Sequence, residues 1–557
     1  MKFDDLITNY VGEFGLYQKT QLFLVCLPAL ITSMNALSWT FAGADVNHRC
    51  RMDNASDNVY WSGSLDAIPR TDCGASNRSE CPFEKCSFGN GRALCTETGN
   101  GYVFDRSVVK HSAIERWEFV CDRHYLKAMV QSAYYVGQMA GSLIFGFLGD
   151  RIGRKKVFFI AIVLQIIGSS GMALSPFWQL YSVFRACVGF AHPGIFVIAV
   201  IIGMELVGPT KRKIASLFTG VFFAVGQVLL GLLAYFVRDY QYLHAFIAVF
   251  AAVFLSYWWV VPESARWLVS QKRYAEADQI LRNAARINKR QMPEKWWDDL
   301  DEEVNRDGQR ENASEDGGEK RAIRKHNFTD LLRTPKIRRI SFSAFFCWPV
   351  VSMLYYGMSM KTDFLGGDMY MTFIFGGLVE IPALFLMYLL VDRIGRKPII
   401  SGGFAIAALC MISNLLLGEK VNAMVAIVQF LIGKASSTAT YATLYTITPE
   451  LFPTVIRNMA TGVCSMMARF GAILASLLMM WLVDTYGKVV IIYPFAILGI
   501  CAAIVVIIFL PETTGKKFTE TIDEAEGWTR NQEEMQPLST TQSPQGAKGA
   551  AGDTKTK

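Results

Sequence analysis

The sequence predicts an all-α membrane protein in which twelve transmembrane helices form two related halves of six. Three observations support this prediction. Apolar segments of helix length run along the whole chain, a long polar segment divides them six and six, and short polar motifs recur in the same order in both halves. Of the 557 residues, 52% are hydrophobic and only 18% are charged, and the charged residues are concentrated between the apolar segments. This composition excludes an ordinary soluble enzyme.

The apolar segments define the predicted halves, because a helix that crosses a bilayer needs about 20 mostly apolar residues. Segments of this kind lie near residues 20–42, 124–147, 157–176, 178–205, 213–237, 241–261, 339–360, 369–391, 398–417, 422–447, 457–483 and 488–510. They predict a first half over 20–261 and a second half over 339–510. The polar remainder consists of an N-terminal segment 1–19, a loop 43–123 inside the first half, a central loop 262–338 and a tail 511–557. The tail is rich in Ser, Thr, Gln, Gly and Lys, a composition that predicts disorder.

Basic clusters predict how the chain crosses the membrane. They follow the second and eighth apolar segments and consist of Arg151, Arg154, Lys155 and Lys156 in one case and Arg393, Arg396 and Lys397 in the other. Since Lys and Arg accumulate in cytoplasmic loops, both clusters and both termini are predicted to be cytoplasmic. The acidic first 20 residues do not resemble a cleaved signal peptide. We therefore expect a multi-pass protein of the cell membrane that contacts the lipid bilayer and does not bind nucleic acid.

The polar loop 43–123 is predicted to be extracellular by the same rule. It contains six of the 12 cysteines, namely Cys50, Cys73, Cys81, Cys86, Cys95 and Cys121. Disulfides persist outside the cell, so we predict that these six are disulfide-bonded, in a pairing that the sequence does not choose. Asn54 and Asn77 lie in Asn-x-Ser sequons of this loop and are predicted glycosylation sites. The other six cysteines stand singly within apolar segments and are predicted to pack in the core.

Three pairs of motifs relate the two halves. GDRIGRK at 149–155 corresponds to VDRIGRK at 391–397, ELVGPT at 205–210 to ELFPT at 450–454, and PESAR at 262–266 to PETT at 511–514. Each pair follows the equivalent apolar segment and is predicted to lie at the same membrane face. A duplicated six-helix unit explains this order.

These motifs resemble those of the major facilitator superfamily. More specifically, the chain resembles solute carrier family 22, the transporters of organic cations, carnitine and organic anions. The resemblance rests on the Cys-bearing first loop and on WEFVC at 117–121, PESARWL at 262–268 and ELFPTVIRN at 450–458, and it extends over nearly the whole chain. It implies the major facilitator fold and an alternating-access carrier of small organic ions that functions as a monomer without a cofactor. Coupling to sodium or protons stays open.

The repeated motifs also supply candidate gating residues. Arg and Lys at a cytoplasmic helix end are ordinary topology anchors, and Gly permits a tight turn. In carriers whose halves rock as bodies, such loops can also hold the cytoplasmic side shut, with a carboxylate placed against a helix N-terminus or a basic neighbour. The predicted gating residues are Asp150, Arg151, Arg154, Glu205, Glu263 and Arg266 in the first half and Asp392, Arg393, Arg396 and Glu450 in the second.

Three ionisable residues are predicted to lie near the centre of the bilayer. Glu380, Lys434 and Arg469 each stand about eleven or twelve residues into an apolar segment of the second half. A charge at this depth costs at least about 2.5 kcal/mol on insertion scales and needs a partner. One interpretation is an internal ion pair that fixes helix packing. The other is a substrate site, because carriers bind their substrates at the midplane between the halves. Both hold if the ion pair opens to admit a charged substrate.

Aromatic and amide residues complete the predicted substrate site. Trp348 and Tyr355 are seven residues apart and therefore share one helical face. Such rings hold ammonium groups by cation–π attraction. Tyr134, Gln138 and Asn35 of the first half are predicted to contribute as well. Two further polar residues of the first half, Arg185 and His192, are predicted to be structural.

The substrate class follows from a departure from the resemblance. Organic cation transporters have an Asp where this chain has Arg469, and the anion branch has an Asp where this chain has Glu380. The combination of Glu380 with Arg469 resembles the carnitine-type branch and suits a substrate with an ammonium and a carboxylate. An organic anion transporter and a sugar carrier are the alternatives. No nucleotide-binding loop, metal-ligand cluster or nucleophile motif is found, so we expect neither an enzyme nor a metal site.

Overall fold

The structure is a computed structural model of the chain, and it describes residues 3–51, 60, 85–88, 93–94, 101–298, 329–360, 368–417, 423–483, 489–514 and 522–526. Its main elements are long helices. Those of the first half are α1 (Leu16–Ala42), α2 (Tyr125–Ile152), α3 (Arg154–Leu174), α4 (Trp178–Leu206), α5 (Arg212–Phe236) and α6 (Tyr240–Val260). Those of the second half are α7 (Pro335–Met360), α8 (Met369–Leu390), α9 (Arg396–Leu417), α10 (Ala423–Leu451), α11 (Thr454–Leu477) and α12 (Val489–Phe509).

Ten helices of the described chain are long and apolar enough to cross a membrane. The helices α2 and α10, of 28 and 29 residues, are as long but contain more polar residues. In α2 the amides of Gln131 and Gln138 are buried, and in α10 Thr443 and Thr448 are buried. Because these polar groups face the interior of the bundle rather than lipid, α2 and α10 fit the same membrane-spanning arrangement. The predicted all-α, multi-pass membrane protein is thus confirmed.

Short elements occupy the connections. The short helical segments are Phe3–Leu6, Ile7–Val11, Ala113–Trp117, Cys121–Arg123, Pro209–Lys211, Ala265–Ser270, Tyr274–Ile287, Asp330–Arg333, Leu478–Leu482 and Ile522–Glu526. In the first loop, β1 (His48–Cys50) pairs antiparallel with β4 (Tyr102–Phe104), and β2 (Ser87–Phe88) pairs with β3 (Ala93–Leu94). The N-terminal segment packs on the helix Tyr274–Ile287, so that the two ends of the first half form one small core below the bundle.

The packing of the second half repeats that of the first. Helix α2 packs on α4 as α8 packs on α10, α3 packs on α4 and α6 as α9 packs on α10 and α12, and α1 packs on α5 as α7 packs on α11. The halves meet along α2–α11 and α5–α8, and these two contacts are also equivalent. Gly153 and Gly395 end the repeated loops with φ of 107° and 103°, a conformation that favours glycine. The duplicated six-helix unit predicted from the motifs is therefore present in the fold.

Two ends of the bundle can be distinguished by their loops. We call the end at which α1 ends and α2 begins the loop face, and the end that contains residues 149–155 and 391–397 the motif face. At the loop face, residues 31–42 of α1, the two residues that follow them and residues 350–360 of α7 are all buried. A helix that is buried around its whole circumference is enclosed by protein on every side. The hydroxyl of Thr40 also donates to the backbone oxygen of Ser359 at 3.4 Å, so the halves are in contact at the loop face.

The described cysteines fall into two groups. In the first loop, Cys86 and Cys121 form a disulfide, and Cys50 is also disulfide-bonded. Cys73, Cys81, Cys95 and both predicted glycosylation sites, Asn54 and Asn77, lie outside the described residues. The six cysteines within the helices are free, and Cys501 is exposed, so the prediction that it packs in the core is wrong.

Candidate functional site

A buried ion pair lies at the centre of the second half. The Oε1 atom of Glu380 on α8 is 2.9 Å from the Nζ atom of Lys434 on α10, and the two side chains are 3% and 0% exposed. The hydroxyl of Tyr355 on α7 donates to Oε2 of Glu380 at 3.0 Å. Lys434 also donates to the hydroxyl of Ser359 and lies 3.7 Å from the centre of the Tyr355 ring. Two of the predicted midplane charges therefore neutralise each other.

Arg469 on α11, the third predicted charge, has a different environment. It is 3% exposed, and its Nη1 atom donates to the hydroxyl of Tyr441 at 3.2 Å. Its Nε atom is buried without a hydrogen-bond partner. Within the described chain, Glu380 is paired with Lys434, and Arg469 forms no ion pair with a carboxylate. Arg469 is therefore a buried cation whose described neighbours are hydroxyl groups and aromatic rings.

A row of aromatic rings connects these charges with the first half. Trp348 lies 4.7 Å from Tyr445 and 5.9 Å from Tyr441, and Tyr355 lies 5.6 Å from Tyr441. Both predicted aromatics thus face the same neighbour, as their spacing of seven residues requires. The Nε1 atom of Trp348 donates to Thr448 at 3.1 Å.

The row continues across the seam between the halves. Tyr356, next to Tyr355, packs edge-on against Tyr135 of α2 with ring centroids 5.1 Å apart. Tyr134 is buried and its hydroxyl lies 2.7 Å from Nδ1 of His192 on α4. Both Tyr134 and His192 are close enough to Arg469 to interact with it electrostatically. Residues of α2 and α4 therefore face the second-half cation across the seam.

Two other first-half candidates differ in their hydrogen bonding. Gln138 is fully buried on α2, and its amide oxygen has no hydrogen-bond partner. Asn35, in contrast, accepts from the hydroxyl of Ser169 on α3 at 2.9 Å and donates to the backbone oxygen of Ile31. Its described contacts therefore lie within the first half. An unpartnered buried amide needs a hydrogen-bonding guest more than a satisfied one, so Gln138 is the better candidate for contact with a substrate.

Arg185 lies within a neutral hydrogen-bonding network near the loop face. It donates to Oε1 of Gln131 at 2.6 and 3.2 Å and to the hydroxyl of Ser38 at 3.2 Å. Its guanidinium also lies 5.4 Å from the rings of both Trp39 and Tyr134. These contacts agree with the structural role predicted for it.

The repeated motifs form equivalent networks at the motif face. In the first half, Arg154 pairs with Glu205 at 3.3 Å and with Asp150 at 2.8 Å, and Glu263 accepts from the backbone nitrogen of Arg154 at 2.9 Å. Arg266 pairs with Asp4 of the N-terminal segment. A Cβ at Gly153 would lie 2.4 Å from the Glu263 carboxylate, which explains the glycine.

The second half repeats this arrangement. Arg396 pairs with Glu450 at 3.2 Å and with Asp392 at 3.1 Å, and Glu512 accepts from the backbone nitrogens of Arg396 and Lys397 at 3.0 and 2.9 Å. Partial burial alone would raise the pKa of Glu512, but these hydrogen bonds and that of Thr514 lower it to about 2. Glu263 thus caps the N-terminus of α3, and Glu512 caps the N-terminus of α9. The remaining predicted gating residues, Arg151 and Arg393, are exposed, and Arg151 lies 6.0 Å from the Phe147 ring.

One ion pair of the motif face crosses the seam between the halves. Lys213 at the start of α5 lies 2.7 Å from Asp392, just beyond α8. The hydrogen bond and charge of Lys213 lower the pKa of Asp392 below its usual range. The described contacts of Asp150, the equivalent first-half residue, lie within its own half. The contacts that the repeated motifs make within each half are thus alike, but only the second-half motif, through Asp392, forms a described ion pair across the seam.

Several residues of the site were not found from the sequence. Lys434, Tyr441 and Tyr445 are seven and four residues apart and share one face of α10, a spacing that could have identified the two tyrosines. Tyr356 could not be separated from the many aromatic packing residues of the chain. Lys213 stands among ordinary basic residues at a helix start, and nothing in the sequence indicates its partner.

Comparison with known proteins identifies the class. Residues 96–525 match the model of the family described as sugar (and other) transporters. The inward-open structure of the xylose transporter XylE from E. coli superposes with a TM-score of 0.58 at 18% identity, over 92% of this chain and 100% of XylE. The fold is therefore that of the major facilitator superfamily, and the chain is a membrane transporter rather than an enzyme.

Comparison with curated relatives narrows the class. An organic cation transporter protein of Drosophila melanogaster is 34% identical over 543 residues, which cover 95% of each chain. Organic cation/carnitine transporter 2 of Homo sapiens is 29% identical over 538 residues, 93% of each chain. Solute carrier family 22 member 4 of Mus musculus is 29% identical over 93% of this chain and 94% of its own. The chain belongs to solute carrier family 22, among the organic cation transporters.

Proposed function

We propose that the protein is an alternating-access carrier of the cell membrane for small organic ions that bear both an ammonium and a carboxylate group. The observation that carries this proposal is the environment of Arg469. This cation is buried at the centre of the bundle and forms no ion pair with a carboxylate of the described residues. It donates to Tyr441 in a row of aromatic rings, and the next ring of that row, Tyr355, donates to Glu380, the carboxylate that is paired with Lys434.

The charge balance supports a substrate carboxylate. With Glu380 and Lys434 paired, the described midplane charges leave one positive charge on Arg469. A buried charge without a partner is costly, and a carboxylate that enters the site offsets that cost. The guanidinium can hold a carboxylate through two parallel hydrogen bonds, and its Nε atom has no competing partner.

The aromatic row supports an ammonium group on the same substrate. The ring centroids of Trp348, Tyr441 and Tyr445 lie within 6 Å of one another, and Tyr441 accepts from Arg469. Ring faces attract ammonium groups by cation–π interaction. Glu380 supplies a full negative charge when Lys434 moves aside, so the ion pair and the substrate compete for the same carboxylate. Gln138 and Tyr134 complete the site from the first half.

The orientation of the chain follows from two independent features. The loop face bears the disulfide between Cys86 and Cys121, and disulfides persist outside the cell. The motif face bears the basic clusters that accumulate in the cytoplasm. We therefore infer that the loop face is extracellular and that both termini are cytoplasmic. The structure then represents a conformation that is closed toward the outside.

Gating is assigned to the motif networks and to the ion pair across the seam. The networks around Arg154 and Arg396 join three helix ends within each half, so that each half moves as one body. The pair of Lys213 with Asp392 joins the two bodies at the cytoplasmic side. This ion pair breaks and re-forms as the two halves rock against each other.

An organic anion carrier is the second candidate, and the positive charge of Arg469 favours it as well. Uptake into liposomes that contain the purified protein distinguishes the two. The panel consists of a zwitterion (carnitine), a cation (tetraethylammonium) and an anion (p-aminohippurate), each with imposed sodium, proton and voltage gradients. These gradients also test whether transport is coupled to sodium or protons. We expect uptake of the zwitterion, with cation–π binding of its ammonium group.

The variant that tests the role of Arg469 is Arg469→Gln, with Arg469→Lys as the matched control. A charge-assisted hydrogen bond contributes about 1.5–3 kcal/mol, so Arg469→Gln should lower carnitine uptake by about one to two orders of magnitude. Uptake of the cation should persist. Arg469→Lys keeps the charge but loses the paired hydrogen bonds, so its carnitine uptake should lie between that of the wild type and that of Arg469→Gln. Undiminished carnitine uptake by Arg469→Gln would show that Arg469 does not bind a carboxylate.

A further inference from the structure

Tyr370, near the start of α8, is a second-half side chain enclosed by first-half residues at the loop face. It is 3% exposed. Its ring stacks on Phe41 at the end of α1, with ring centroids 5.4 Å apart and planes inclined by 4°. Tyr235 of α5 packs against it edge-on at 5.8 Å. The ring thus occupies a seat formed by two helices of the opposite half.

Polar groups of the first half complete this seat. The guanidinium of Arg238 lies 5.7 Å from the centre of the Tyr370 ring and 5.5 Å from that of Tyr235. The hydroxyl of Tyr370 donates to the backbone oxygen of Val108 at 3.3 Å. The seat therefore recognises a tyrosine by stacking, by cation–π attraction and by one hydrogen bond.

The hydrogen-bond acceptor of the seat is fixed to the first half. The loop segment that contains Val108 is bound to the turn between α5 and α6, because the backbone nitrogen of Lys110 donates to the backbone oxygen of Arg238 at 3.0 Å. The backbone nitrogen of Tyr240 donates in turn to His111 at 3.2 Å. Val108 therefore moves with the first half, and any separation of the halves at the loop face must withdraw Tyr370 from its seat.

The repeat shows that this contact is specific to one side of the seam. Counted from the matched residues Asp150 and Asp392, the first-half position equivalent to Tyr370 is Ala128 on α2. An alanine cannot make the equivalent contact on the α2–α11 side. The duplicated fold alone therefore does not require an aromatic ring here.

We propose that Tyr370 is a latch that holds the loop face of the carrier closed, with Phe41, Tyr235, Arg238 and Val108 as its catch. This role goes beyond the proposed function, because it concerns the equilibrium between conformations and not the choice of substrate. Removing the latch favours the conformation that is open at the loop face.

Distances between spin labels on α3 and α12 test the latch in the full-length protein in nanodiscs, without substrate. Leu174 and Tyr493 are exposed near the loop face of these helices, and Lys156 and Phe509 are exposed near the motif face. Each pair is replaced by labelled cysteines after the partly or fully exposed native cysteines, Cys187, Cys410 and Cys501, have been changed to Ser. One pair reports opening of the loop face, and the other reports the accompanying change at the motif face.

In Tyr370→Ala we expect the loop-face distance to lengthen and the motif-face distance to shorten. The ratio of the open to the closed population should rise about tenfold, which corresponds to about 1.4 kcal/mol. Tyr370→Phe, which removes only the hydrogen bond, should produce a smaller rise in the same direction. The matched control is Phe375→Ala, because Phe375 lies on the same helix but is 48% exposed.

The proposal is overturned if Tyr370→Ala has the distance distributions of the wild type, or if Phe375→Ala changes them equally. Should Tyr370→Ala fail to fold, Arg238→Gln weakens the seat from the opposite half and should shift the same two distances in the same directions; unchanged distances there also refute the latch. Because no substrate is present, an error in the proposed substrate class would leave these results unaffected.

Discussion

Removal of one charge from the Glu380–Lys434 pair should destabilise the protein much more than removal of both. The two side chains are 3% and 0% exposed, and the charged atoms are 2.9 Å apart. At an effective dielectric constant of about 20, their attraction is about 6 kcal/mol before the cost of desolvation is subtracted. Glu380→Gln leaves the buried ammonium without a counterion, and Lys434→Met leaves the buried carboxylate without one.

The expected magnitudes follow from this geometry. Each single variant should lower the free energy of unfolding by about 3–5 kcal/mol, because a buried charge remains unpaired. The double variant removes both charges and their desolvation costs, so its stability should lie close to that of the wild type. The pair Asp392–Lys213 provides the control: its side chains are about half exposed, and Lys213→Met should cost less than about 1 kcal/mol.

Equilibrium unfolding in mixed detergent micelles, followed by near-UV circular dichroism, measures these differences. The two single variants and the double variant form a thermodynamic cycle that isolates the coupling between Glu380 and Lys434. We expect a coupling of at least about 2 kcal/mol. If the losses of the single variants add in the double variant, the two charges do not stabilise one another, and the proposed competition between Lys434 and a substrate ammonium loses its basis.

Two further predictions concern the packing of α2 on α4 and the motif face. A Cβ at Gly137 would lie 2.0 Å from the backbone oxygen of Ala186, whereas a Cβ at Gly146 on the same helix would meet no atom within 4 Å. Gly137→Ala should therefore lower the melting temperature. Gly146→Ala should leave it unchanged or raise it slightly. Equal effects of the two would refute close packing of α2 on α4. With a pKa of about 2, Glu512 stays ionised in the folded protein when the pH falls below the ordinary value near 4.5. Its stabilising contribution is full above pH 4.5, declines as the pH falls from 4.5 and is gone below about 2. Hydrogen exchange should show the backbone amides of Arg396 and Lys397 protected at pH 3.5 in the wild type but not in Glu512→Gln, and loss of protection in both would contradict this.

The fold could be predicted from the sequence because two of its causes are local. Hydrophobic segments of bilayer length must become helices, since a lipid environment leaves no other way to satisfy the backbone. The repeated Asp-Arg-x-Gly-Arg loops fix equivalent turns, and Gly153 and Gly395 adopt the same positive φ in both halves. Lengths were predicted less well: α2 extends to Ile152 rather than 147, because its last turn belongs to the repeated motif.

The candidate site could be predicted only in part, because the direction of a side chain within a bundle depends on its neighbours. A spacing of seven residues placed Trp348 and Tyr355 on one face of α7, and the structure brings both to Tyr441. The same reasoning could not show that Lys434 would neutralise Glu380. Asn35 stays a prediction for the substrate site, and its side chain accepts a hydrogen bond from Ser169 on α3. Tyr370 gave no signal, since the residues that enclose it come from three distant parts of the chain.

The symmetry of the fold and the asymmetry of the charges together indicate which half binds the substrate and how the two halves move. The helix contacts and motif networks repeat between the halves, so both can serve as rigid bodies in one rocking motion. The described midplane charges all come from α8, α10 and α11, while α2 and α4 contribute hydroxyl, amide and imidazole groups. A substrate held by Arg469 would therefore move with the second half, and the first half would slide past it. On this reasoning, substitutions of α2 residues such as Gln138 should lower the affinity for the substrate less than the substitution of Arg469.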